Sequence, residues 1–87
     1  MKKARLEIEY NEYGIPILEK TGNPNLSFRL GNSNELYIEG NRDALILFAK
    51  ALLGLAECEV DDGFHIHLDE LYGINDTDKT VIISKIK

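Results

Sequence analysis

Apolar and polar residues alternate along most of this chain, and once, near its middle, the alternation gives way to a helical period. Leu6, Ile8 and Tyr10 fall on one side of a first strand over residues 4–10, with Arg5, Glu7 and Glu9 on the other. Asn11-Glu12-Tyr13-Gly14 reads as a turn into a returning strand, Ile15-Pro16-Ile17-Leu18. Pro16 has no N–H for a ladder, which confines this strand to an edge or makes it irregular. A second turn, Thr21-Gly22-Asn23-Pro24-Asn25, precedes a strand in which Leu26, Phe28 and Leu30 alternate with Ser27 and Arg29. Gly31-Asn32-Ser33-Asn34 then turns the chain into a fourth strand. Leu36 and Ile38 face inward there, and Glu35, Tyr37 and Glu39 outward.

The alternation stops at Gly40-Asn41, where the spacing predicts the one long helix, ending near Glu57. The Asn41 side chain can accept a hydrogen bond from the free amides of the first turn, and Asp43 places a negative charge where the helix dipole favours it. Leu45, Phe48, Leu52 and Leu55 keep a 3-4-3 spacing with Ala49 and Ala56 beside them, which predicts the core stripe and puts Leu52 against the sheet. Ile46, Leu47 and Leu53 lie off that stripe. They need cover from the Leu71-Tyr72-Ile74 segment or from a second copy of the chain.

After a loop at Asp61-Asp62-Gly63, Phe64, Ile66 and Leu68 alternate with His65 and His67. Residues 69–78 read mostly as loop. Val81-Ile82-Ile83 with Ile86 is apolar on both sides, as suits a central strand or one covered at an interface. The order β-β-β-β-α-β-β predicts an α+β fold, a mostly antiparallel sheet with one long helix packed on one face. Strands flanking the helix, if parallel, should cross over right-handed. Residues 1–87 are long enough for one domain with one core.

Charge narrows the function. Fifteen acidic residues against ten basic ones give a net charge of -5, the wrong sign for neutralising phosphates and the right one for a basic protein partner. The single Cys58 excludes an internal disulfide and fits a reducing compartment. Met1-Lys2-Lys3-Ala4-Arg5 leads into Leu6-Glu7-Ile8-Glu9, not into the apolar run of a leader. The apolar stretch Ala44 to Ala56, interrupted by Lys50, is shorter than the roughly 20 residues of a membrane span. A cytoplasmic protein, with no membrane partner, is the expectation.

Candidate chemistry is sparse. His65-Ile66-His67-Leu68-Asp69 would set two imidazoles and a carboxylate on one strand face, like the opening of the metallo-β-lactamase-like His-x-His-x-Asp-His string. Glu70 stands where that string needs histidine, and no third histidine exists, so no metal is expected. The glycine-asparagine segments are turns without a phosphate-loop lysine. Asp61, Asp62, Asp76 and Asp78 lack the spacing of a calcium loop. Ser27, Ser33 and Ser84 have no nucleophile-elbow surroundings, and no base stands beside Cys58 in sequence. No catalytic residue, cofactor or enzymatic activity is expected.

Leu36-Tyr37-Ile38-Glu39-Gly40-Asn41, the helix end Leu52-Leu53-Gly54-Leu55-Ala56, the His65-to-Asp69 string and the closing Val81-Ile82-Ile83 together resemble a family of small bacterial proteins. These are predicted immunity proteins from polymorphic-toxin loci, and the resemblance spans residues 36 to 86. It implies a non-enzymatic protein that binds and neutralises a cognate toxin. The contact residues expected here come from the strand alternation instead. The face away from the helix carries Arg5, Glu7, Glu9, Arg29, Glu35, Tyr37, Glu39, His65 and His67. Of these, Glu7, Glu9, Glu35, Tyr37, Glu39, His65 and His67 are the partner-binding candidates, a negative patch around an aromatic anchor facing a basic toxin. The alternative is a structural or self-associating domain, a homodimer formed through the helix.

Overall fold

The computed structural model describes residues 1–59, 64–68 and 81–86. Among these described residues six short strands and one helix follow in the order β-β-β-β-α-β-β, the α+β succession that the alternation predicts. β1 (Glu9–Tyr10) pairs antiparallel with β2 (Pro16–Ile17), β3 (Leu26–Leu30) with β4 (Leu36–Gly40), and β5 (His65–Leu68) with β6 (Val81–Ser84). Where one sheet is expected, the described residues form three two-stranded ladders, and the helix α1 (Arg42–Glu57) packs against β2, β4 and β5. The flanking strands β4 and β5 do not pair with each other among the described residues, so no crossover hand arises.

The two N-terminal hairpins close alike. Asn11 N donates to Ile15 O at 2.9 Å, and Gly31 N to Glu35 O at 2.7 Å. The last residue of each three-residue loop is left-handed, Gly14 at φ 78° and Asn34 at φ 66°, the usual end of such a loop. Asn11 Oδ1 also accepts from the amides of Tyr13 (2.8 Å) and Ile15 (3.1 Å).

Asn41 caps α1 as its sequence position predicts, accepting from Ala44 N at 3.0 Å. The same Oδ1 accepts from Asn25 N at 3.2 Å, while Nδ2 donates to Asn23 O at 2.8 Å. Asp43 Oδ2 accepts from Asn23 N at 3.4 Å. One cap residue thus ties the 22–25 turn to the start of the helix. At the other end, no basic residue stands in the last turn of α1. Lys85 supplies that charge from beyond β6, its Nζ donating to Cys58 O at 2.7 Å. Cys58 is buried, with its thiol donating to Leu55 O at 3.1 Å.

The buried face of α1 differs from the predicted stripe. Ala44, Leu47, Ala51, Gly54 and Leu55 are buried, whereas Leu45 and Leu52 are 46% and 45% exposed. Leu47, expected off the stripe, joins Leu26, Ala44, Ala51 and Leu68 in the core, and Leu52 does not. The physical reason is close approach: small residues on the helix let backbones come near. Gly54 shows it, since a Cβ there would lie 2.9 Å from Pro16 Cβ and 3.3 Å from Ile8 Cγ2. Its carbonyl accepts from Tyr10 Oη at 3.1 Å, docking the first hairpin on the helix. Phe48 remains on the inner side, edge-on to Phe28 with ring centroids 5.9 Å apart.

Of the two settings expected for β6, a central strand or one covered at an interface, the described residues do not show the first. Ile83 packs on the core opposite Ile66, but Ile82 and Ile86 are exposed, and among the described residues β6 pairs with β5 alone. It is therefore not a central strand within this set. Asp61, Asp62, Asp69, Glu70, Asp76, Asp78 and the proposed helix cover at Leu71, Tyr72 and Ile74 lie outside the described residues. Among the described residues no helix is long and apolar enough to cross a membrane.

Candidate partner-binding surface

Register decides which candidates stand together. In β3–β4, Leu26 faces Gly40, Phe28 faces Ile38 and Leu30 faces Leu36 on the helix side. Ser27 with Glu39 and Arg29 with Tyr37 occupy the opposite side. The sequence alternation has the right phase for this hairpin and gathers Glu35, Tyr37 and Glu39 on one exposed surface. Leu36 and Ile38, expected to face inward, are exposed too, because the helix covers only the Leu26–Phe28 end of this side.

Tyr37 is held on several sides. The Arg29 guanidinium lies 4.1 Å from its ring centroid, and its hydroxyl donates to Glu35 Oε2 at 3.2 Å. A Cβ at Gly31 would sit 2.6 Å from the ring edge, so the absence of a side chain there lets the ring lie against the turn. Arg29 Nε also donates to Glu39 Oε1 in an exposed ion pair. Such a contact adds little stability in water, but it fixes the guanidinium over the ring. Arg29 appears in the predicted outward face without this role. The register is the signal that finds it, because the Gly31–Asn34 turn puts Arg29 opposite Tyr37.

The remaining candidates do not join this cluster. Glu9 is opposite Ile17 in β1–β2, and Glu7 precedes that ladder. Both line an open cleft of about 490 Å³ whose wall includes Ile46 and Lys50 of α1. The expectation that Glu7 and Glu9 face away from the helix, beside Tyr37, does not describe this arrangement. The single-sheet assumption is what misleads, since residues with the same alternation phase share a face only within one ladder. His65 and His67 are exposed on β5 with ring centroids 5.0 Å apart, opposite Ser84 and Ile82. Among the described residues no three His, Cys, Asp or Glu side chains gather as metal ligands.

Electrostatically the cluster holds the carboxylates of Glu35 and Glu39 against one guanidinium. It is a mildly acidic patch with a preset aromatic ring, not the four-carboxylate patch expected. Such a surface can hold a basic or hydrogen-bonding protein group and offers no nucleophile or paired acid and base. Compared with known families, residues 35–86 match the family described as immunity protein 32. No curated protein and no solved structure matches the chain.

Proposed function

The chain belongs to the immunity protein 32 family, and from that premise we propose that it neutralises a cognate toxin by direct binding through the exposed face of β4. Family membership implies toxin neutralisation, and immunity proteins are typically non-enzymatic inhibitors. The proposed contact is Tyr37 flanked by Glu35 and Glu39; Glu7, Glu9, His65 and His67, the other partner-binding candidates, stand apart from this cluster. One observation carries it: Tyr37 is partly exposed yet held by Arg29, Glu35 and Gly31. An aromatic side chain already fixed in place loses little conformational entropy on docking, which is what an interface anchor requires. The match to the family includes this whole strand. The net charge of -5 supports a basic toxin and attraction before contact. The single Cys58 supports action in the cytoplasm.

The test is capture of a toxin by this chain, with the product of the neighbouring gene as the first probe, followed by association and dissociation rates at two salt concentrations. Tyr37→Ala is expected to raise the dissociation rate by about tenfold or more, as for loss of an anchor. Glu35→Lys with Glu39→Lys is expected to slow association, and more so at low salt. Unchanged rates in both variants would move the interface off β4.

A further inference from the structure

Among the described residues the outer edge of β4 is open, and the hydrogen bonds at its two ends show which groups it presents. Gly31 N donates to Glu35 O, and Asn41 N donates to Asn25 O. Bonded pairs alternate along an antiparallel ladder, so Arg29–Tyr37 and Ser27–Glu39 are the pairs that exchange bonds in between. The N–H and C=O groups of Leu36, Ile38 and Gly40 therefore point away from β3. Among the described residues no strand pairs with them. This edge carries neither Lys nor Pro, the residues that commonly blunt an edge strand. On the side facing away from Tyr37 and Glu39 its side chains are apolar and exposed: Leu36 is 59% exposed, Ile38 45% and the adjacent Leu30 74%.

We propose that β4 pairs antiparallel with β4 of a second copy of this chain, about a two-fold axis at Ile38, joining two hairpins into one four-stranded sheet. A two-fold contact must be self-complementary; an axis at Ile38, the central residue of β4, pairs the whole strand, and charge disfavours the axes on either side of it. With the axis at Ile38, Ile38 meets Ile38, Leu36 meets Gly40, and Tyr37 meets Glu39. Glu35 then lies opposite Asn41, and no like charges face each other. Moving the axis one residue to Tyr37 sets Glu35 opposite Glu39, and moving it to Glu39 sets that residue opposite itself. Like charges directly across a ladder are destabilising. Gly40 packs against Leu26 and Ala44, so a leucine arriving opposite it extends an existing apolar contact. The Glu35–Tyr37–Glu39 face stays open in this dimer, and its formation is independent of toxin capture.

Sedimentation of the full chain over a concentration series tests the pairing, with a concentration-dependent dimer expected. Ile38→Lys places two ammonium groups opposite each other on the axis and should raise the dimer dissociation constant by about tenfold or more. Ile38 is exposed, so this variant should keep its fold. Single cysteines test the register. Ile38→Cys brings two thiols into a bonded pair with Cα atoms about 5.5 Å apart, within the roughly 4.4–6.8 Å of a disulfide. In Leu36→Cys they are four residues out of step, roughly 13 Å. Mild oxidation should cross-link the first and not the second, while buried Cys58 stays out of reach. A monomer at concentrations up to about 1 mM, a dimer that survives Ile38→Lys, or equal cross-linking of both cysteines would each overturn the proposal. A monomer whose Ile38→Lys variant no longer captures the toxin would assign this edge to the toxin instead.

Discussion

Replacing Asn41 by alanine should destabilise the protein more than loss of an ordinary helix cap. The side chain makes three hydrogen bonds, accepting from Ala44 N (3.0 Å) and Asn25 N (3.2 Å) and donating to Asn23 O (2.8 Å). Losing a cap costs about 1 kcal/mol. The two bonds to the 23–25 turn are solvent-exposed and belong at the low end of the range for a net hydrogen bond, about 0.5 kcal/mol each. Together they give about 2 kcal/mol for Asn41→Ala, a substantial part of the about 5–15 kcal/mol that holds a domain folded. Asn41→Ser separates the contributions. Its hydroxyl can cap the helix but is one atom shorter and carries no amide to reach Asn23, so about 1 kcal/mol should be lost. Urea melts followed by far-ultraviolet circular dichroism, at one fixed protein concentration, measure both. A loss below about 0.5 kcal/mol for alanine, within the range of an ordinary surface change, would refute the assignment of Asn41 as the joint between turn and helix. Equal losses for serine and alanine would show that the cap itself contributes nothing.

Three further outcomes follow from packing and titration. Leu47→Ala should cost about 2–5 kcal/mol as a buried truncation, whereas Leu52→Ala, 45% exposed, should cost about 1 kcal/mol or less; the reverse order in denaturant melts would restore the stripe predicted from spacing. Gly54→Ala should destabilise despite alanine's helix advantage of about 1 kcal/mol, because the new Cβ meets the rigid Pro16 ring at 2.9 Å and overpacking costs about 1–3 kcal/mol; a raised melting temperature would show that the hairpin yields freely. Burial raises the Tyr10 phenol above its ordinary pKa, and the electrostatic influence of Cys58 and Glu57 pushes the same way. The folded state therefore holds that proton more tightly than the unfolded chain. This contribution is complete below the unfolded phenol's pKa of about 10 and is lost as pH rises through the folded value. Tyr10→Phe should lower stability at neutral pH by about 1 kcal/mol through its lost bond to Gly54 O and should flatten the alkaline decline; an unchanged alkaline slope would assign that decline to other groups.

Much of the local structure is set by the order of residues. Alternation in Leu26–Leu30 and Leu36–Gly40, the turn between them and the Asn41 cap are local properties, fixed by side-chain period, left-handed tolerance at Asn34 and a reachable amide at Ala44. The resemblance over residues 36 to 86 agrees with the family match at 35–86 for the same reason, because strand, cap and helix follow one another there without interruption. Tertiary packing decides what local period leaves open. Spacing allows two overlapping stripes on α1, sharing Phe48 and Leu55, and large side chains favour the one through Leu45 and Leu52. The small residues Ala44, Ala51 and Gly54 prevail because hairpins dock on the helix backbone itself, and a neighbour's distance is invisible along one segment. Alternation likewise assigns a phase to each strand but cannot say which strands share a ladder. Glu7 and Glu9 thus part from Tyr37, while Arg29, brought opposite it by register, comes to lie over its ring.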